Sequence, residues 1–115
     1  MTALAPFLAT YDRISIQHFL IVGAVLFGIG LWIALSKRNA VMILMGIEIM
    51  LNAVNLTLVA FARLGQSATP LAGQVFVIFI ITVAAAEAAV ALAMVVSVYR
   101  NRGTIDIDKI DLLRF

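Results

Sequence analysis

"LAGQVFVIFIITVAAAEAAVALAMVVSVY" spans residues 71–99 and contains a single charged side chain, Glu87. At about 1.5 Å of rise per residue, a helix of this length exceeds the roughly 30 Å hydrocarbon core of a bilayer. A loop with Gly and Pro, "RLGQSATP" at 63–70, precedes the stretch, and Arg100 follows it. The stretch therefore predicts a transmembrane helix that tilts or extends beyond the membrane.

Two further apolar runs, at 14–35 and 40–62, each have about the 20 residues that cross a bilayer as a helix. The chain is 64% hydrophobic and 12% charged, whereas soluble domains are about half apolar and a quarter charged. This composition excludes a soluble domain. We predict an all-α membrane protein, one unit of residues 1–115, with three transmembrane helices near 14–36, 39–63 and 70–100 and a tail at 101–115.

The basic residues predict the orientation of the helices. Lys37 and Arg38, in the turn between the first two runs, lie on the same side as the basic residues of the tail, whereas Arg13 and Arg63 lie on the other side. Because positive charge favours the cytoplasmic side, we expect the N-terminus outside and the C-terminus in the cytoplasm. The pair Lys37 and Arg38 is either this topology signal alone or part of a functional site.

The sequence offers few ligands for a metal or a redox cofactor. It has no cysteine, and His18 is its only histidine. Thiolate ligation of iron–sulfur clusters is therefore excluded, and we predict no cofactor and no metal on this chain.

The two membrane glutamates, Glu48 and Glu87, are predicted to lie at similar depth. Glu48 is ten residues from Arg38, and Glu87 is thirteen from Arg100, so the two heights agree within about 5 Å in antiparallel helices. An ionised carboxylate at mid-bilayer costs roughly 3 kcal/mol on insertion scales. Such residues usually face a bundle interior and carry protons or ions, although a protonated glutamate can also simply join two helices by a hydrogen bond.

The surroundings of the two glutamates differ. Glu48, Asn52 and Asn55 have the spacing i, i+4, i+7, which places them on one face of the second helix. The asparagines either support a polar path or only bond the helices together. Glu87 is surrounded by alanines, which allow another helix to approach closely, so its polar partners must come from a neighbour.

Three stretches resemble subunit K of the proton-pumping NADH:quinone oxidoreductase, respiratory complex I, whose mitochondrial counterpart is the 4L subunit. They are "KRNAVMILMGIEIMLNAVNL", "GQVFVIFIITVAAAEAAVALAMVV" and "YRNRGTIDIDKIDLLRF". The resemblance covers residues 17–115. The two family glutamates match Glu48 and Glu87, and the family's basic pair in the cytoplasmic turn matches Lys37 and Arg38.

The resemblance implies that the chain is a membrane-arm subunit of a translocase, with Glu48 and Glu87 in a proton relay that couples quinone reduction to pumping. It implies other membrane-arm subunits as partners, with A, J and N as neighbours, and places quinone, FMN and iron–sulfur clusters in partner subunits. The lipid bilayer is the other expected partner, and nucleic acid is not expected. The implied location is the bacterial plasma membrane, with a thylakoid membrane as the alternative.

Other functions remain open on the residues alone. A small subunit of a multisubunit sodium/proton antiporter has similar length and topology but lacks the glutamate pair, and a membrane-bound hydrogenase carries a closer relative. A purely structural assembly subunit is a third alternative. The electron donor is also open, since NADH, ferredoxin or another module could serve the same membrane arm.

The tail "TIDIDKIDLLRF" at 104–115 alternates Ile and Asp before an apolar end. We predict that it packs on the cytoplasmic surface of a neighbouring subunit through Ile105, Ile107, Leu112 and Leu113.

Overall fold

The computed structural model describes residues 3–6, 14–66 and 68–110. It contains three long helices, α1 (Ile16–Ser36), α2 (Ala40–Leu64) and α3 (Pro70–Arg102), followed by one 3-10 turn, Ile107–Lys109. All three helices are long and apolar enough to cross a membrane, so the predicted all-α class with three spans is confirmed. The third helix continues to Arg102, two residues beyond its expected end.

Local capping explains where the helices begin and end. Asn39 precedes α2, and its Oδ1 accepts hydrogen bonds from the backbone N–H groups of Val41 and Met42 at 2.9 and 3.3 Å, as a helix N-cap does. Pro70 opens α3 at a position where its missing N–H costs nothing. Gly103 ends α3 in the left-handed region, with φ +69°, a conformation that glycine adopts without a Cβ penalty.

The middle helix, α2, packs along both of its neighbours, while α1 and α3 hardly touch each other. Glycines bring α1 and α2 together: a Cβ added to Gly30 would lie 2.6 Å from the carbonyl oxygen of Gly46, and one added to Gly23 would lie 2.8 Å from Thr57 Oγ1. Such close approach is typical of membrane helix pairs, in which small residues allow backbones to pack directly. Gly28, on α1, has nothing within 4 Å of an added Cβ and does not contribute.

Most of the surface is apolar, as a bilayer requires. The buried apolar residues among those described are three alanines of α2 and Val77 of α3, whereas large side chains such as Ile21, Trp32 and Phe79 are more than 60% exposed. A soluble protein rarely exposes so much contiguous apolar surface. The chain is therefore embedded in a membrane, where lipid tails and partner helices cover these side chains.

The chain after α3 turns back onto the segment between α1 and α2. Asn39 and Asp106 form an antiparallel β-bridge, and Arg38 Nη1 lies 3.0 Å from Asp108 Oδ2. The described part of the tail thus bonds to this chain's own turn. The predicted contact with a neighbouring subunit gains no support from these bonds; Ile107 remains 46% exposed, and Leu112 and Leu113 lie outside the described residues.

Candidate functional site

Glu48 and Glu87 line one cavity of about 450 Å³ between α2 and α3. The two glutamates come from different helices, and the antiparallel course of α2 and α3 brings them to the same space. Among the described residues, neither carboxyl forms a hydrogen bond or a salt bridge. Apart from these glutamates and two asparagines, the lining is apolar: Val41, Leu44, Met45, Ile47, Leu51, Ile81, Ala84, Ala85, Ala88, Ala91 and Leu92.

The face of α2 toward the cavity carries Glu48, Asn52 and Asn55. Their spacing places them one above another along about two helical turns. Glu48 and Asn52 are exposed in the chain, whereas Asn55 is only 7% exposed, and its Oδ1 has no hydrogen-bond partner. A buried amide oxygen without a partner costs roughly 1–3 kcal/mol. Glu48 and Asn52 are therefore uncovered in the isolated chain, whereas Asn55 is buried between the helices.

Thr57 belongs to a different face of α2. Its hydroxyl donates a 2.9 Å hydrogen bond to the carbonyl oxygen of Ala53 and lies beside Gly23 of α1. The hydroxyl is thus satisfied within its own helix, and it is separate from the glutamate cavity.

The small side chains of the alanines on α3 make room for the cavity. Ala84, Ala85, Ala88 and Ala91 line it together with Glu87. The sequence predicts that these alanines allow another helix to approach closely. On the side toward α2 they border open volume instead, because their single methyl groups do not reach across it. The polar side chains that line this cavity with Glu87 all belong to α2.

Glu87 also lines a second cavity of about 300 Å³, together with Phe76, Phe79 and other apolar residues. Leu51 and Ala84 line both cavities and so stand at the boundary between them. Sequence reasoning missed Leu51 and did not give Ala84 this boundary position. The available signal was their helical spacing, since each lies three residues from a glutamate on the same helix.

Lys37 and Arg38 do not reach this cavity. Both lie between α1 and α2, and Arg38 is about ten residues from Glu48, or about 15 Å along the helix axis. The guanidinium of Arg38 pairs with Asp108, and both side chains are more than half exposed. The structure therefore divides the predicted site residues into two groups, the four polar residues at the cavity and the basic turn at the end of the bundle.

No group of three His, Cys, Asp or Glu residues that could hold a metal ion occurs within residues 3–6, 14–66 and 68–110.

Comparisons with known proteins identify the family. Residues 18–115 match the sequence model of NADH-ubiquinone/plastoquinone oxidoreductase chain 4L. The chain is similar to NADH-quinone oxidoreductase subunit K of Geobacillus sp. (strain WCH70), with 54% identity over 90% of this chain and 98% of the relative. It is also similar to NAD(P)H-quinone oxidoreductase subunit 4L of Synechococcus sp. (strain JA-3-3Ab), with 53% identity over 89% of this chain and 99% of the relative.

A third relative, NADH-quinone oxidoreductase subunit K of Anaeromyxobacter sp. (strain K), is 50% identical over 85% of this chain and 96% of its own length. Three spanning helices and a family match over nearly the whole length agree with one another, and the predicted resemblance is confirmed. The chain therefore belongs to the chain 4L family and is a membrane subunit of an NADH- or NAD(P)H-quinone oxidoreductase.

Proposed function

We propose that Glu48 and Glu87 pass protons between them in a relay that couples quinone reduction to proton pumping. The observation that carries this proposal is their shared cavity of about 450 Å³. A water molecule occupies about 30 Å³ of the liquid, so the cavity has room for several waters between the carboxyls. A carboxyl that hydrogen-bonds to a chain of water can release one proton and take up another.

The energetics favour a relay over a fixed pair of charges. Two carboxylates in one cavity would repel each other, and the desolvation of each is costly at this depth. A single shared proton, or two neutral carboxyls, removes most of this cost. Asn52 supplies an amide that can orient water beside Glu48, while the alanines around Glu87 present no competing hydrogen-bond partner.

The relay needs further subunits to be complete. Three helices, two of which hardly touch, do not enclose a polar path. We propose that neighbouring membrane-arm subunits, with A, J and N as the expected neighbours, close the cavity and continue the path. Quinone, FMN and iron–sulfur clusters would then be held by partner subunits, in keeping with a chain that has no cysteine and one histidine.

The test is Glu48→Gln in the assembled complex. Glutamine retains the size of a protonated glutamate and its ability to hydrogen-bond, but it cannot release and rebind a proton. We expect normal assembly on native gels and a large fall in donor-driven quinone reduction and in proton uptake. Glu48→Gln membranes that assemble the complex and pump at the wild-type rate would show that this carboxyl only joins helices.

A further inference from the structure

We infer that the contact between residues 38–40 and 105–108, here named the tail clasp, is a positioning element that sets how far α3 can slide along α2. Through this it keeps Glu87 beside Glu48. The effect of the tail clasp on activity rests on the proposed relay. The clasp itself consists of backbone hydrogen bonds and can be tested separately.

Backbone hydrogen bonds form the clasp. The N–H of Ala40 donates to the carbonyl oxygen of Ile105 at 3.0 Å, and the N–H of Ile107 donates to the carbonyl oxygen of Arg38 at 2.9 Å. The ion pair between Arg38 and Asp108 lies on the surface and adds little by comparison. Because the bonding atoms belong to the main chain, side-chain rotation does not loosen the contact.

Each side of the clasp is joined firmly to its helix. Asn39 caps α2 through its side chain, so residues 38–40 move with the first turn of that helix. The N–H of Gly103 donates to the carbonyl oxygen of Tyr99 at 2.7 Å, and the N–H of Asp106 donates to Thr104 Oγ1 at 3.1 Å. A displacement of the end of α3 is therefore transmitted to the start of α2.

The lengths of the segments explain why this contact controls register. Glu48 lies eight residues, or about 12 Å, from the start of α2, and Glu87 lies fifteen residues, or about 22 Å, from the end of α3. With the glutamates level at one cavity, α3 extends about 10 Å beyond the start of α2. The four Cα steps from Arg102 to Asp106 reach at most about 14 Å.

That reach must cover the axial return of about 10 Å and the part of the roughly 8–10 Å spacing between packed helices that the bridge, about 4.5 Å wide, does not span. Little slack is left, so α3 cannot slide outward by more than a few Å while the bridge holds. A shift of one helical turn would move Glu87 by about 5.4 Å, which exceeds this slack. The clasp thus excludes the registers in which α3 slides outward by a helical turn and carries Glu87 away from the level of Glu48.

The test removes one hydrogen bond without altering the fold. Ile107→Pro deletes the N–H that donates to Arg38, and position 107 opens the 3-10 turn, where the φ of proline fits. Asp106 before it has φ −72° and ψ 114°, a conformation that suits a residue preceding proline. Ile107→Ala is the matched control, because it loses the side chain but keeps the N–H.

We expect the Ile107→Pro complex to assemble and its kcat for quinone reduction to fall by about threefold or more, because small displacements of reacting groups cost large factors in rate. The KM for quinone should stay unchanged, and the solvent isotope effect in D2O should rise as proton transfer becomes limiting. Loss of folded complex would lower the rate without raising the isotope effect. Ile107→Ala keeps the N–H that bonds to Arg38, so it should show the wild-type isotope effect.

Closing the clasp covalently provides the rescue. Asn39 and Asp106 form a pair whose Cα atoms lie about 4.5 Å apart in a bridge of this type, which a disulfide spans. The chain has no other cysteine. In an Asn39→Cys, Asp106→Cys, Ile107→Pro variant, oxidation of isolated membranes should restore kcat, and reduction should abolish the gain.

Each outcome decides between the alternatives. Three results would overturn the clasp. The Ile107→Pro membranes could show the wild-type kcat and isotope effect, or the disulfide could fail to repair the Ile107→Pro defect. The third result is a cysteine pair at 39 and 106 that does not cross-link in the native complex. If Ile107→Pro prevents assembly, Thr104→Val replaces it as the test and should show the same fall in kcat and the same rise in the isotope effect. Thr104→Ser is the control for Thr104→Val. A Thr104→Val complex with normal kcat and isotope effect would also overturn the clasp. A normal clasp variant beside an inactive Glu48→Gln variant rejects the clasp and leaves the relay standing.

Discussion

Glu48 of α2 and Glu87 of α3 line the same cavity, and neither carboxyl has a protein partner among the described residues. Their elements meet because α2 lies between α1 and α3 and runs antiparallel to both. Two unpaired carboxyls in one membrane cavity are costly to keep. That cost is compatible with a site that exchanges protons.

The first prediction ranks the two glutamates. Glu48→Gln should lower proton uptake more than Glu87→Gln, because Asn52 and Asn55 accompany Glu48 on its own helix, whereas Glu87 is surrounded by alanines and borders a second, apolar cavity. Proton uptake by membranes of each variant, normalised to assembled complex, measures the difference. A larger defect in Glu87→Gln would show that hydration of the α2 face does not set the rate.

The second prediction moves the carboxyl by one helical turn. In a Glu48→Gln background, Asn52→Glu should restore part of the activity, since Asn52 lines the same cavity and water can bridge the changed distance. Val54→Glu is the control: position 54 is 41% exposed but does not line the cavity. Equal quinone reductase rates in the two double variants would count against a water-filled path through this space.

The third prediction concerns the packing of α1 against α2. Gly30→Ala should destabilise the subunit by about 1–3 kcal/mol, because its Cβ would lie 2.6 Å from the carbonyl oxygen of Gly46. Gly28→Ala, on the same helix, has nothing within 4 Å and should be neutral. Heating each complex in detergent and measuring how much of the subunit it retains compares the stabilities of the two variants. Variants of equal stability would refute the direct backbone contact.

The fourth prediction is the orientation in the membrane. Lys37 and Arg38 between α1 and α2, together with Arg100 and Arg102 at the end of α3, predict that the start of α2, the end of α3 and the tail lie in the cytoplasm. A single cysteine at Lys109 should therefore resist a membrane-impermeant thiol reagent in intact cells, while one at Gln66 should react. The absence of native cysteine removes background labelling. Labelling of position 109 from outside would reverse the proposed orientation.

Much of the fold could be predicted from local sequence. The lengths of the apolar runs and their charged ends indicate three spanning helices, because every backbone polar group in hydrocarbon must be hydrogen-bonded and a helix of about 20 residues achieves this within its own segment. The 3.6-residue period likewise places Glu48, Asn52 and Asn55 on one face of α2. These features depend on residues close together in the chain, so the sequence alone contains them.

The tertiary structure decided what those helices do together. Packing between distant segments places α2 in the middle of the three helices. The same packing makes Glu87 border two cavities, with Leu51 and Ala84 between them. The tail shows the same limit: its alternating Ile and Asp predict a contact with a neighbouring subunit, and its described part bonds to this chain's own Arg38 and Ala40 mainly through backbone atoms. Main-chain groups are the same in every residue, so no local pattern of side chains could identify that partner, and only the folded chain brings the two segments within hydrogen-bonding distance.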